Sequence, residues 1–184
     1  MNITQAQIRR AVGSVDKQAV DEFVASFNQY AIPFGIDTPL KVVHYLSQIM
    51  HETGALKYTE EIASGEQYEF RKDLGNTEPG DGKRFKGRGF IMLTGRANYL
   101  AFKNSDCCTE DVIHYPMKVG KYPLNQIASM WFWEKHGLSA IAATDNGHNT
   151  DEVCKKITKI INGGYNGLSQ RLFFLRRFKK EFGV

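Results

Sequence analysis

A mainly helical fold is predicted by three observations on this 184-residue sequence. Apolar residues recur at three- and four-residue spacing in several separate stretches. Capping residues of the Ser/Thr/Asp type stand directly ahead of those stretches. The one long segment without such periodicity, residues 64–86, is polar and rich in turn formers (Gly65, Gly75-Asn76, Pro79-Gly80, Asp81-Gly82), which reads as a long ordered loop with at most short helical or strand pieces. Helices around a loop-built cleft are therefore the expected architecture.

Taken in order, Thr4 with Gln7 reads as a capping box, followed by Ile8 and Val12 on one helical face. Asp16 can cap a second helix with Val20, Phe23, Val24, Phe27 and Tyr30 as its apolar stripe, and Pro33 and Gly35 break it. Thr38-Pro39 signals a third, with a capping hydroxyl before proline at the first helical position. Leu40, Val43, Leu46, Ile49 and Met50 carry that helix into His51-Glu52, and Gly54 is its stop. Residues 90–93 are read as a brief strand or turn, and 96–102 as a short helix. After Tyr122-Pro123 a helix is expected with Ile127, Met130, Trp131 and Trp133 packed inside. Thr150-Asp151 opens another, with Val153, Ile157, Ile160 and Ile161 inward, ending at Gly163-Gly164. In the last helix Leu168, Leu172, Leu175 and Phe178 face inward, and Arg171, Arg176, Arg177, Lys179 and Lys180 mostly outward.

The bulk composition narrows the class. The length suits one domain over residues 1–184. Hydrophobic residues at 42% and charged residues at 24% are ordinary for a globular chain, and a net charge of +4 selects neither nucleic acid nor a polyanionic surface as partner. No run approaches the ~20 apolar residues of a membrane span. The N-terminus lacks the basic start and apolar block of a signal peptide, so synthesis in the cytoplasm is expected, with any later release left to other machinery. A monomer is expected, with no nucleic-acid partner and no membrane insertion. Cys107, Cys108 and Cys154 are odd in number and show no metal-ligand spacing, so no disulfide framework, metal or cofactor is expected.

Candidate chemistry concentrates in residues 51–99. Glu52 lies at the end of an apolar helix, partly desolvated and near the negative end of the helix dipole, surroundings that suit a general acid. The plainer alternative is a solvated helix-end glutamate. Glu61 follows by nine positions. On an unbroken helix that offset is about 13 Å of rise and half a rotation, so the two can cooperate only if the helix stops between them, as Gly54 allows. Two carboxyl groups with separate duties suit hydrolysis of a glycosidic bond. Glu60 competes with Glu61 for the second duty. Arg88, between Gly87 and Gly89, can hold either carboxylate by a bidentate contact. Thr94 offers a hydroxyl to position a water, and Asn162 an amide for an acetamido group or the same water. Tyr58, Tyr68, Phe70 and Tyr99 are candidate sugar-stacking faces, whereas Trp131 and Trp133 read as packing. His51 beside Glu52 can touch substrate or tune its neighbour, though a structural histidine is the plainer reading.

At these residues the sequence resembles glycoside hydrolase family 19, the chitinase-like lysozymes, and within it the phage endolysins. The resemblance rests on residues 48–54 (Gln-Ile-Met-His-Glu-Thr-Gly), 58–61 (Tyr-Thr-Glu-Glu), 71–82, 86–99 (Lys-Gly-Arg-Gly-Phe-Ile-Met-Leu-Thr-Gly-Arg-Ala-Asn-Tyr) and 161–164 (Ile-Asn-Gly-Gly). It implies a lysozyme-like bilobal helical fold and an inverting mechanism on β-1,4-linked N-acetylated sugars. It places Glu52 as general acid, Glu61 as general base, Thr94 as the hydroxyl that helps hold the water, and Asn162 as a substrate contact. Met92 departs from the pattern, because the family usually carries glutamine there, an amide that can bind a sugar. Bacterial peptidoglycan is the expected substrate, for the compact chain and the likeness to lysins, with chitin oligomers, or a catalytically silent glycan-binding relative, as the alternatives.

Overall fold

The computed structural model describes residues 1–184, and the chain divides into two compact units, residues 1–57 with 132–184, and residues 58–131. Nine α-helices account for most of it: α1 (Gln5–Val12), α2 (Lys17–Tyr30), α3 (Pro39–Glu52), α4 (Asp81–Arg84), α5 (Arg96–Lys103), α6 (Leu124–Lys135), α7 (Leu138–Ala142), α8 (Thr150–Asn162) and α9 (Leu168–Phe182). There is no sheet. Residues 90–92 form the expected turn, closed by an isolated bridge between Arg88 and Leu93, and Arg88 makes a second such bridge with Glu60. No helix is long and apolar enough to cross a membrane.

The first unit is built around α3. Every residue from Val42 to Met50 is buried, so this helix has no solvent face and its polar members must find protein partners. Ser47 donates to the His44 carbonyl, His44 Nε2 lies 3.0 Å from Asp145, and Gln48 Nε2 donates to Thr158 Oγ1 at 3.3 Å. Around α3 pack α9 and α7, with α1 against α9 and α8 beside α7 and α9. Phe27, Tyr45 and Trp133 form an aromatic column, the last two edge to face at 5.2 Å between centroids.

The local start signals hold in two cases of three. Thr4 and Gln7 form the reciprocal capping box, and the Asp16 carboxylate accepts the Ala19 N–H. Thr38 adopts the extended capping backbone but its hydroxyl makes no cap bond, so Pro39 alone marks the start there. After Glu52, α3 ends abruptly: Gly54, Ala55 and Leu56 all take left-handed φ values of 56–66°. The buried Thr53 hydroxyl secures this reversal, donating to the Ile49 carbonyl and accepting the Leu56 N–H at 2.8 Å.

Two inward faces differ from expectation. In α9 the buried set is Arg171, Phe174, Leu175 and Phe178, which keeps perfect helical spacing but turns Arg171 inward. In α8 Cys154 and Thr158 are buried beside Val153 and Ile157, while Ile160 is exposed. Trp131 and Trp133 are packed inside as expected.

In the second unit, loop 64–86 is ordered by buried polar groups rather than by apolar burial. Asp81 is 1% exposed. Its carboxylate takes Arg96 through Nε at 2.7 Å and Nη2 at 2.5 Å, and also the N–H groups of Thr77 and Glu78. Burial alone would raise the Asp81 pKa, but Arg96 and those N–H donors outweigh it and hold it below the usual carboxylate range. Asn76, fully buried, accepts the Arg96 N–H and donates to the Tyr68 carbonyl. The Glu69 carboxylate collects the N–H groups of Gly80 and Gly82. A Cβ on Gly82 would meet the Glu69 nitrogen at 2.6 Å, so only glycine fits.

Burial of His44 pushes its pKa down, with the Lys179 charge acting the same way, against the pull of Asp145. The unfolded chain therefore binds this proton at higher pH than the folded one, and stability falls as pH drops below the ordinary histidine value of about 6.5. The expected outcome is a lower urea midpoint at pH 5 than at pH 7.5, with the difference reduced in His44→Gln, whose amide can still donate to Asp145.

Candidate active site

Glu52 is the last residue of α3, half-buried, and its Oε1 accepts Arg171 Nη2 at 2.5 Å. The same guanidinium donates through Nη1 to Gln48 Oε1 at 2.5 Å and through Nε to the Asn166 carbonyl at 3.3 Å. Gln48 and Glu52 are four residues apart, so both side chains lie on the α3 face that meets α9. Arg171 is fully buried. Reading the sequence missed this residue, because an arginine in a basic helix was assigned to solvent. The available signal was its place at i, i+3, i+4 and i+7 with Phe174, Leu175 and Phe178.

His51 Nδ1 lies 2.6 Å from the Gln170 amide oxygen. Burial, with the nearby Arg171 charge, holds the imidazole pKa below its ordinary value despite the Gln170 bond and Glu52. Its ring packs so closely under Gly167 that a Cβ there would fall 1.9 Å from Cε1, and Gly167 has φ +71°. A glycine is thus required on both counts. His51 is held as a structural neighbour of Glu52. Asn162 ends α8, exposed, ahead of the left-handed Gly163, and takes no part in the bonds that hold Glu52 or His51.

In the second unit the two adjacent glutamates have different partners. Glu61 Oε1 accepts Gln67 Nε2 at 2.9 Å and the Tyr68 hydroxyl at 3.0 Å, and its Oε2 accepts the Gly87 N–H at 3.2 Å. All three donors are neutral. Glu60 instead meets Lys86 at 3.1 Å and Arg88 at 3.2 Å. Partial burial would raise the Glu60 pKa, but the Lys86 hydrogen bond and the two positive charges outweigh it and lower it. Arg88 was a candidate partner for either glutamate, and it takes Glu60. Its Nη1 is spent on the Arg84 carbonyl and the buried Tyr99 hydroxyl, whose pKa burial pushes up to about 12.

Thr94 and Glu61 are brought together around Gly87. A Cβ at that glycine would stand 3.3 Å from both Glu61 Oε2 and Thr94 Oγ1. The Thr94 hydroxyl donates to the Met92 carbonyl at 2.8 Å, which leaves its lone pairs to accept. Met92 itself sits in the left-handed region at φ 54°. Tyr58, at the start of this unit, is half-buried, and Tyr99 is wholly interior, so Tyr99 offers no sugar-stacking face. Phe70 is 58% exposed, so its ring is accessible. No group of three or more His, Cys, Asp or Glu side chains is placed to hold a metal ion. Cys108 and Cys154 are buried free thiols, and burial pushes Cys154 up to about 11.

The chain has the mainly helical fold of the family 19 chitinases. A bacterial family 19 chitinase superposes with a TM-score of 0.68 over 99% of this chain and 95% of that one, at 18% identity. No protein-family model matches the sequence. A glycosyl hydrolase family 19 domain-containing protein of Haemophilus influenzae is 31% identical over 114 residues, 60% of this chain and 49% of that protein. An endochitinase of Arabidopsis thaliana is 31% identical over 127 residues, 68% of this chain and 42% of that protein. The chain thus matches just under half the length of these curated relatives. It is a homologue of the family 19 glycosyl hydrolases, as its motifs suggested.

Replacing Arg171 by methionine leaves Gln48 and Glu52 without their buried cation. Expected is a stability loss toward the low end of the about 3–5 kcal/mol typical of a broken buried pair, because Glu52 keeps some water access. Chemical denaturation of Arg171→Met beside the parent measures it.

Proposed function

We propose that this protein is a glycosidase that hydrolyses β-1,4 bonds between N-acetylated sugars with inversion, Glu52 being the general acid and Glu61 the general base. The observation that carries the reading is the division of labour between Glu60 and Glu61. A base must hold an ionised carboxylate against a water molecule. Glu61 is fixed by three neutral donors beside the Thr94 hydroxyl, whereas Glu60 is committed to two cations.

In this mechanism Glu52 carries its proton on Oε2, the oxygen that Arg171 does not hold, and gives it to the glycosidic oxygen as the C–O bond breaks; Arg171 then pairs with the carboxylate that is left, and water attacks the anomeric carbon from the opposite face. Glu61 takes one water proton. Thr94, its own proton already donated to Met92, accepts a hydrogen bond from the other and so aims the water's lone pair at the sugar. The products are a new reducing end of inverted configuration and a free hydroxyl on the leaving sugar. Inversion requires about 6.5–9.5 Å between the two carboxyl groups to admit the water.

Chitin oligomers are the first substrate reading, supported by the curated relatives that bear the name endochitinase. Peptidoglycan shares the linkage and is the second, supported by the likeness of the motifs to those of phage lysins; the Met92 thioether removes an amide from the site and bears equally on both substrates.

Glu52→Gln and Glu61→Gln are each expected to lower turnover about 10²–10⁴-fold with the fold retained, while Glu60→Gln loses far less. Reducing-end release from chitin oligomers and from purified peptidoglycan, with the anomeric form of the fresh product read by NMR, measures this. Near-parental turnover by Glu61→Gln would remove the assignment.

A further inference from the structure

Lys86 has no part in the chemistry above, yet it is tied to the segment that carries the proposed base more tightly than any other side chain. Its ammonium is 3.0 Å from the carbonyl oxygen of Glu61, 3.3 Å from that of Ala63, and 3.1 Å from Glu60 Oε1. An ammonium has three N–H donors, and here each has an acceptor. All three acceptors lie within residues 60–63. The side chain is only 17% exposed, and its stem passes so close to Gly65 that a Cβ there would meet Lys86 Cβ at 2.8 Å. The backbone of Lys86 is itself fixed, because the buried Tyr99 hydroxyl donates to its carbonyl at 2.9 Å.

We propose that Lys86, with Glu60 as its counter-charge, is the positioning residue for Glu61. Holding the carbonyl of Glu61 fixes the peptide plane from which the Cα–Cβ bond departs. The neighbouring Gly87 then bonds Glu61 twice, accepting its N–H at 2.9 Å and donating to Oε2 at 3.2 Å. The backbone is clamped on one side by the ammonium and on the other by Gly87, so the Cα–Cβ bond departs in a fixed direction and the carboxylate is delivered to Gln67, Tyr68 and the Gly87 N–H. A displacement of about 1 Å in a catalytic group can cost 10²-fold in rate. A point-like ammonium on a flexible stem suits three acceptors spread around it, where the planar guanidinium of arginine does not.

This inference rests on Glu61 being the base, so Glu61→Gln is assayed alongside. Lys86→Met keeps the stem and removes the ammonium. It is expected to cut kcat about 10–100-fold, with KM within about 3-fold of the parent and a cooperative thermal transition retained. Lys86→Ala opens space for a small cation, and ethylammonium is expected to restore part of its kcat where tetramethylammonium at equal ionic strength does not. If Glu61→Gln is inactive while Lys86→Met keeps the parental kcat, or if Lys86→Ala loses kcat, KM and thermal stability together with no response to ethylammonium, Lys86 is only structural and the inference falls. If Glu61→Gln is itself active, the assignment of the base falls first.

Discussion

A fully buried guanidinium needs an acceptor at each of its three nitrogens once it is taken out of water, and Arg171 sets this condition for the first unit. The side chains of Gln48 and Glu52 and the carbonyl of Asn166 all converge on it. Meeting the condition fixes how far along α3 the helix α9 lies and brings the loop before α9 against the end of α3. The close seat of His51 under Gly167 follows from the same approach. Glu52 is therefore not a side chain that happens to end a helix. It is one of the acceptors that the buried cation demands.

The second unit obeys the same rule with different residues. Its loop has few apolar side chains to bury, and Asp81, Asn76 and Glu69 take up the backbone donors that such a loop leaves open. The effect reaches the site in two steps. Asn76 fixes the carbonyl of Tyr68, and the Tyr68 hydroxyl fixes Glu61. Order in a segment rich in turn formers is thereby passed to a carboxylate, without a strand or long helix to carry it.

Sequence features that act within a few residues were legible. The Thr4–Gln7 box, the Asp16 cap and the break after Glu52 follow from local chemistry and appear where expected. The two misplaced helix residues share one cause. Arg171 was placed outside by its charge and Ile160 inside by its apolarity, but burial is decided by which face the neighbouring helix covers. For Arg171 helical spacing was the better guide, since it falls in register with Phe174, Leu175 and Phe178, whereas Ile160 keeps the spacing of Val153 and Ile157 and is still exposed. Between Glu60 and Glu61 spacing could not choose, and only the resemblance named Glu61. What separates their surroundings is Lys86, Arg88, Gln67 and Tyr68, whose contacts close only on folding.

The abrupt stop of α3 has a consequence for how the chain tolerates change in length. A helix buried on every side and ended by three left-handed residues cannot absorb an added residue by sliding or fraying. One residue inserted between Pro39 and Gln48 would turn everything after it through about 100° relative to the part before. Gln48 and Glu52 would then swing away from Arg171 together, or the packed half of the helix would have to rotate in their place. The helix acts as a ruler of fixed length, and insertions or deletions should be far rarer along it than substitutions.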